Sequence, residues 1–202
     1  MIDELAGRDE LAPILWYIAC FHEAGHAIAA LRFGRPVREI CTHPTNGYTD
    51  HALDGSACSA QDLRFIVTAG PWVEVRAART IYGIDLEGFD EDGRDFLHHL
   101  HDCFRKNSHD WHDYHLSLGI NVTEEDRLRA CDAAFGQGAP PDYEALPGGD
   151  LSAYTEDLWD ESRKLALAML SAEDEIDIGY NQLPLERVSP SLWRRRGWTP
   201  TA

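Results

Sequence analysis

The chain is short of cations and has no paired-cysteine pattern. Lysine and arginine together number 18 against 35 aspartates and glutamates, a net charge of −17. Phosphate binding needs a basic face, so a nucleic-acid partner is not expected. The same charge repels anionic membrane surfaces. The five cysteines (Cys20, Cys41, Cys58, Cys103 and Cys131) are odd in number, dispersed and without a C-x-x-C pair. That pattern argues against a disulfide scaffold and for reduced thiols in the cytoplasm. The longest unbroken apolar run, Ile14 to Phe21, is too short to span a bilayer. The start, Met1-Ile2-Asp3-Glu4, is acidic and lacks a signal-peptide pattern. There is no internal repeat and no G-x-x-x-x-G-K-[ST] loop, so no ATPase module is expected. What remains is 44% apolar with six tryptophans, enough to build the core of one compact domain or of one domain with a small appendage.

Against that background one short motif stands out: His22-Glu23-Ala24-Gly25-His26, an H-E-x-x-H. Residues four apart share a helix face, so His22 and His26 present two imidazoles side by side, the arrangement a zinc ion takes from two nitrogen ligands. Glu23 then lies beside the open coordination position, where it can take a proton from bound water. The flanks, Ile14-Leu15-Trp16-Tyr17-Ile18 and Ala27-Ile28-Ala29-Ala30-Leu31, are apolar. Two histidines and a glutamate on such a buried helix cost stability unless something engages them. Gly25 costs about 1 kcal/mol relative to alanine in a helix, which suggests close approach by another backbone.

Periodicity and punctuation divide the chain. Residues 1–12 form a polar lead-in, 13–135 the core, 136–150 a Gly/Pro-rich linker, and 151–202 a C-terminal helix and tail packing on the core. Within the core the motif helix spans about 13–33, with Gly34 and Pro36 ending it. Val37 to Thr42 alternates as a strand, His43-Pro44-Thr45-Asn46-Gly47 is a turn, and Tyr48 to His51 is a short returning strand. Ser59 to Asp62 starts a helix over about 60–82, which Gly70-Pro71 should kink or split. Further helices are expected over 93–104, after the cap at Thr123, and over 152–172. Arg194-Arg195-Arg196 reads as a solvated basic tip. The fold class is mainly α with a small β-sheet or hairpin.

His22-Glu23-Ala24-Gly25-His26-Ala27 with Ala29-Ala30 resembles the active-site helix of the FtsH-type zinc peptidases, the protease part of membrane-bound AAA proteases. Val37, Ile40, Pro44 and Gly47-Tyr48-Thr49 look like that family's following strand and turn. Ala69-Gly70-Pro71-Trp72-Val73-Glu74 resembles its Gly-x-Ala-Ala-Glu segment, with Trp72-Val73 in place of the small pair. Gly93-Arg94-Asp95-Phe96 resembles the segment that supplies the third ligand. The resemblance covers about residues 14–100 and implies a zincin-like metallopeptidase domain with Zn2+ held by His22, His26 and Asp95. Apart from the resemblance, Glu74 is read as holding a ligand imidazole by its free N–H, or as an alternative ligand. A separate ATPase partner would be needed for unfolding substrates.

On chemistry alone, Glu74, Asp92, Asp50 and His51 compete for the third position. A histidine three residues after His26 is excluded, since residue 29 is alanine. Asp95 at a helix start and Glu74 in a surface ion pair also have ordinary structural readings. His98, His99, His101, His109, His112 and His115 form a second histidine-rich segment, read as a polar face or solvated loop. Cys20 is read as core. The expected function is a zinc-dependent endopeptidase, ATP-independent by itself, with Glu23 as general base and an extended peptide or protein substrate lying along residues 37–42. The alternatives are a non-catalytic binding or adaptor module with a zinc site, a metallohydrolase acting on a non-peptide amide, and a histidine-rich metal buffer.

Overall fold

The apolar stretch around the motif forms helix α1, Ala12–Arg32. It is apolar on nearly every side, as a helix wrapped by its fold must be. Cys20, Ala24, Ala27, Ala29 and Ala30 are fully buried, and Phe21 and Ile28 nearly so. Pro13–Arg32 is long and apolar enough by composition to cross a membrane, which the unbroken-run criterion did not register; 67% of that window is buried inside the protein, as in a core helix. Gly34, at φ +70°, ends α1. Its N–H reaches Leu31 O at 2.9 Å and the Arg35 N–H reaches Ala30 O at 2.9 Å. This paired closure satisfies the last carbonyls and needs a left-handed residue that glycine supplies without strain.

The computed structural model describes residues 12–44, 47–51, 59–81, 110, 113–114, 119, 123 and 154–200. They fall in two compact units, 1–56 with 156–202, and 57–155. In the first, α1 is followed by β1 (Val37–Cys41) and β2 (Tyr48–His51). After the second unit come α3 (Glu156–Leu170), β3 (Glu175–Ile176), β4 (Leu185–Ser189) and β5 (Leu192–Arg195). The five strands form one antiparallel sheet in the order β2-β1-β5-β4-β3. Helices α1 and α3 pack together, and Phe21 stacks on Trp159 with ring centroids 5.6 Å apart. Ile40, Leu158, Leu185, Met169 and Trp193 are fully buried beneath them.

The basic tip is not a solvated tail. Arg194 and Arg195 belong to β5, the central strand, whose Trp193 lies opposite Ile40 and is fully buried. Glu39, 7% exposed, faces Arg194 across the sheet. Arg194 donates from Nε and Nη2 to Glu39 Oε2, each at 2.6 Å, while the Tyr48 hydroxyl donates to Oε1. A buried carboxylate is thereby satisfied at both oxygens by the strands on either side of it. Arg196 pairs with the exposed Glu186 at 2.6 Å and with Glu175.

In the second unit, helix α2 runs unbroken over Ala60–Ile81, through Pro71. The expected split does not occur. Proline inside a helix removes a backbone hydrogen bond and costs about 3 kcal/mol, but the burial of Ala69, Trp72, Val73 and Ala77 holds the helix together. Its start is a reciprocal cap: Asp62 N–H donates to Ser59 Oγ at 3.1 Å, and Ser59 N–H to Asp62 Oδ2 at 2.9 Å. Tyr154 stacks on Phe65 and Trp72, with centroids 5.0 and 5.4 Å away, and shares a hydrogen bond with the Thr68 hydroxyl. The final helix is shorter than the expected 152–172. The helices expected over 93–104 and after Thr123, and the linker 136–150, lie outside the described residues.

Truncating Arg194 to methionine would leave Glu39 buried with Tyr48 as its remaining partner, and should lower stability by about 2–3 kcal/mol in urea denaturation. Arg196→Met, whose partners are exposed, should leave the midpoint nearly unchanged. Equal shifts in the two variants would show that the Glu39 cluster does not hold the sheet.

Candidate metal centre

His22 and His26 lie on consecutive turns of α1, 8% and 7% exposed. Their ring centroids are 4.7 Å apart at 75°, and the two Nε2 atoms are 3.0 Å from each other. Two nitrogens bound to one tetrahedral zinc at about 2.0–2.1 Å stand about 3.3 Å apart. The pair thus needs only a small adjustment to share an ion. One proton between the two nitrogens would satisfy the same geometry, so metal content, not distance, distinguishes the states. In chemical terms His22 and His26 could hold a metal ion.

Glu23 is 3% exposed. β2 explains how a carboxylate is tolerated there. The Thr49 hydroxyl is 2.9 Å from Glu23 Oε2 and 3.0 Å from the Glu23 backbone carbonyl, tying the strand to the helix at this residue. Gly47 passes over the other oxygen: a Cβ placed there would lie 2.6 Å from Glu23 Oε1 and 3.3 Å from the carbonyls of Cys41 and His43. No side chain fits without moving the carboxylate. The turn signal at Asn46-Gly47 therefore carries a second requirement, room for Glu23, that turn chemistry did not reveal. Thr49 entered the sequence reading only as part of a strand. Its role was detectable through period-2 facing, which puts Thr49 and His51 on one side of β2.

His51, weighed as a third ligand, lies on that side at the end of β2, opposite Val37. Its Nδ1 is buried and has no hydrogen-bond partner among the described residues. Burial, followed by the nearby charges of Arg35, His26 and Arg38, pushes the imidazole down to about 4. Asp50, on the opposite face of the strand, stands 3.9 Å from Arg38, which fits an ordinary ion pair. Glu74 is half-buried on α2 in the other unit. Asp92, Asp95 and the histidines at 98, 99, 101, 109, 112 and 115 lie outside the described residues. Cys20 is fully buried, as a core residue, and burial pushes its thiol up to about 12.

Residues 37–42, expected to receive an extended substrate, are not free to do so. β1 is paired on both sides, by β2 and β5. Among the described residues β2 pairs with β1 alone and ends the sheet. A cavity of about 490 Å3 opens elsewhere in the same unit, between α3 and residues 173–180. Ile28 lines it, two positions beyond His26 and so turned to the other side of α1. None of the motif's polar side chains lines it. Comparison with family models, with curated proteins and with solved structures gives no match.

His51 sets a pH dependence. An imidazole that ordinarily titrates near 6.5 and is held at about 4 refuses, when folded, a proton that the unfolded chain accepts. Its contribution is complete above pH 6.5 and is lost as pH falls to 4. The metal-free protein should lose roughly 3 kcal/mol over that interval. Urea titrations of the native protein and His51→Gln test this: the variant should show a flatter profile, and superimposable profiles would contradict the assignment.

Proposed function

We propose that this chain is a zinc-dependent metallopeptidase, an FtsH-type peptidase-like domain of zincin-like fold that cleaves peptide bonds without an ATPase of its own. The observation that carries the reading is the meeting of two convergent imidazole nitrogens with a buried glutamate on one helix face, that glutamate being held from β2 by Thr49. A general base has no task in a purely structural zinc site, so Glu23 favours hydrolysis over an adaptor role.

His22 and His26 would hold the ion with a carboxylate as third ligand. The resemblance assigns that role to Asp95. When bound, zinc supplies Lewis-acid polarisation of the scissile carbonyl and acidifies water. Glu23 takes the proton of the attacking water and delivers it to the departing amine as the C–N bond breaks. Thr49, hydrogen-bonded to Oε2, keeps the other carboxylate oxygen directed for that transfer. An extended substrate would pair along the outer edge of β2 rather than along β1, adding a strand beside Glu23. A separate ATPase partner would serve only for folded substrates.

Hydrolysis of a quenched-fluorescent peptide library by the zinc-loaded protein tests the proposal. Glu23→Gln should retain the metal and abolish turnover. Gly47→Ala, which displaces the base without touching a ligand, should lower kcat by roughly 10–100-fold with metal content unchanged. Peptide turnover that survives in Glu23→Gln would remove Glu23 from the mechanism. Amide hydrolysis confined to non-peptide substrates would favour the metallohydrolase reading instead.

A further inference from the structure

Arg35 is a buried cation with two donor nitrogens that no described residue engages. Its side chain is 4% exposed, and neither Nε nor Nη1 has a hydrogen-bond partner among the described residues. Nothing about its position is loose. The Arg35 N–H closes the end of α1 on Ala30 O, and two residues later the Val37 N–H donates to Gln182 Oε1 at 2.6 Å. The carboxylates that α1, β1 and β2 supply among the described residues are engaged. Glu39 is held by Arg194 and Tyr48, Asp50 stands by Arg38, and Glu23 accepts from Thr49. Guanidinium desolvation is costly, and a buried arginine is almost always paired. One buried without an acceptor among the described residues leaves two N–H donors for an incoming ligand.

The surroundings say where it arrives. Val37 pairs with His51, so Arg35 leads directly into the strand position facing that histidine. His51 shares its side of β2 with Thr49, whose hydroxyl reaches Glu23, and its own buried Nδ1 also lacks a hydrogen-bond partner among the described residues. Arg35 and His26 both act electrostatically on His51, so the guanidinium and one imidazole of the motif both come near it. We propose that Arg35 anchors a carboxylate-recognising subsite beside the His22–Glu23–His26 centre, with His51 lining it. The guanidinium fork matches a planar carboxylate through two parallel N–H···O bonds. A more highly charged phosphate ligand is disfavoured by a chain of net charge −17. The inference deepens the peptidase reading and rests on it for the ligand's identity: the carboxylate is the C-terminus of a peptide or an acidic side chain.

Two measurements test it. The first is thermal unfolding with N-acetylglycine or N-acetylglycinamide added to the metal-free protein. The carboxylate should raise the melting temperature and the amide should not. Arg35→Met, relieved of an unpaired charge, should melt about 3 °C higher than the native protein and lose the response. A lower melting temperature with no carboxylate response in the native protein would make Arg35 structural and overturn the proposal. The second is affinity selection on zinc-loaded Glu23→Gln from hexapeptide pools: free C-termini, amidated C-termini, and amidated peptides with an internal Asp or Glu. Enrichment of the first pool assigns the C-terminal carboxylate, and enrichment of the third a side chain. Arg35→Lys, which keeps the charge but not the fork, should reduce either preference at least several-fold. Peptides retained without carboxylate preference would overturn the subsite while leaving the peptidase reading standing. No peptide retained, with the N-acetylglycine response intact, would overturn the peptidase reading and leave the subsite.

Discussion

A carboxylate and two imidazoles sit in the middle of a helix whose other faces are apolar, and the hydrogen bond from Thr49 to Glu23 makes that arrangement tenable. Without it, a side chain 3% exposed would give up solvation with less in return. The bond also sets the register between α1 and β2, because Thr49 reaches both the carboxylate and the backbone carbonyl of the same residue. Gly47 completes the constraint by leaving space on the other side of the carboxylate. Helix, turn and strand are thereby fixed around one ionisable group whose position matters to within an ångström.

The sheet supplies the rigidity behind this. β1 and β2 form a local hairpin, and a two-stranded hairpin is marginal alone. β5 arrives from 155 residues away to pair with β1, and Arg194 neutralises Glu39 in the same step. Trp193 and Ile40, opposite one another and fully buried, couple that pairing to the core under α1 and α3. The C-terminal strands are thus part of the support for the candidate metal centre, and damage to them should reach Glu23 through β1 and β2.

Local signals in the sequence carried much of this. The helix of the motif, both strands of the hairpin and the Ser59–Asp62 cap follow from periodicity and capping chemistry within short windows. His22, Glu23 and His26 were legible because a helix turns spacing into facing. The central strand was not legible: three consecutive arginines at 194–196 look like a solvated end, and Glu39, the buried partner of Arg194, lies 155 residues away in sequence. Proline 71 was over-weighted, since its local cost is outvoted by the burial of the side chains around it. Arg35 gave no signal at all, because an arginine after a helix-ending glycine is usually exposed; its burial without an acceptor among the described residues is a tertiary property.

The proposed chemistry requires that the two imidazoles share a metal ion rather than a proton. Elemental analysis of the purified, untagged protein, with X-ray absorption at the zinc edge and His22→Ala in parallel, separates the two states. The expected result is one zinc per chain, bound by imidazole nitrogens at about 2.0–2.1 Å, and loss or marked weakening in the variant. Protein that takes up no zinc when it is supplied, or zinc held equally by His22→Ala, would contradict it.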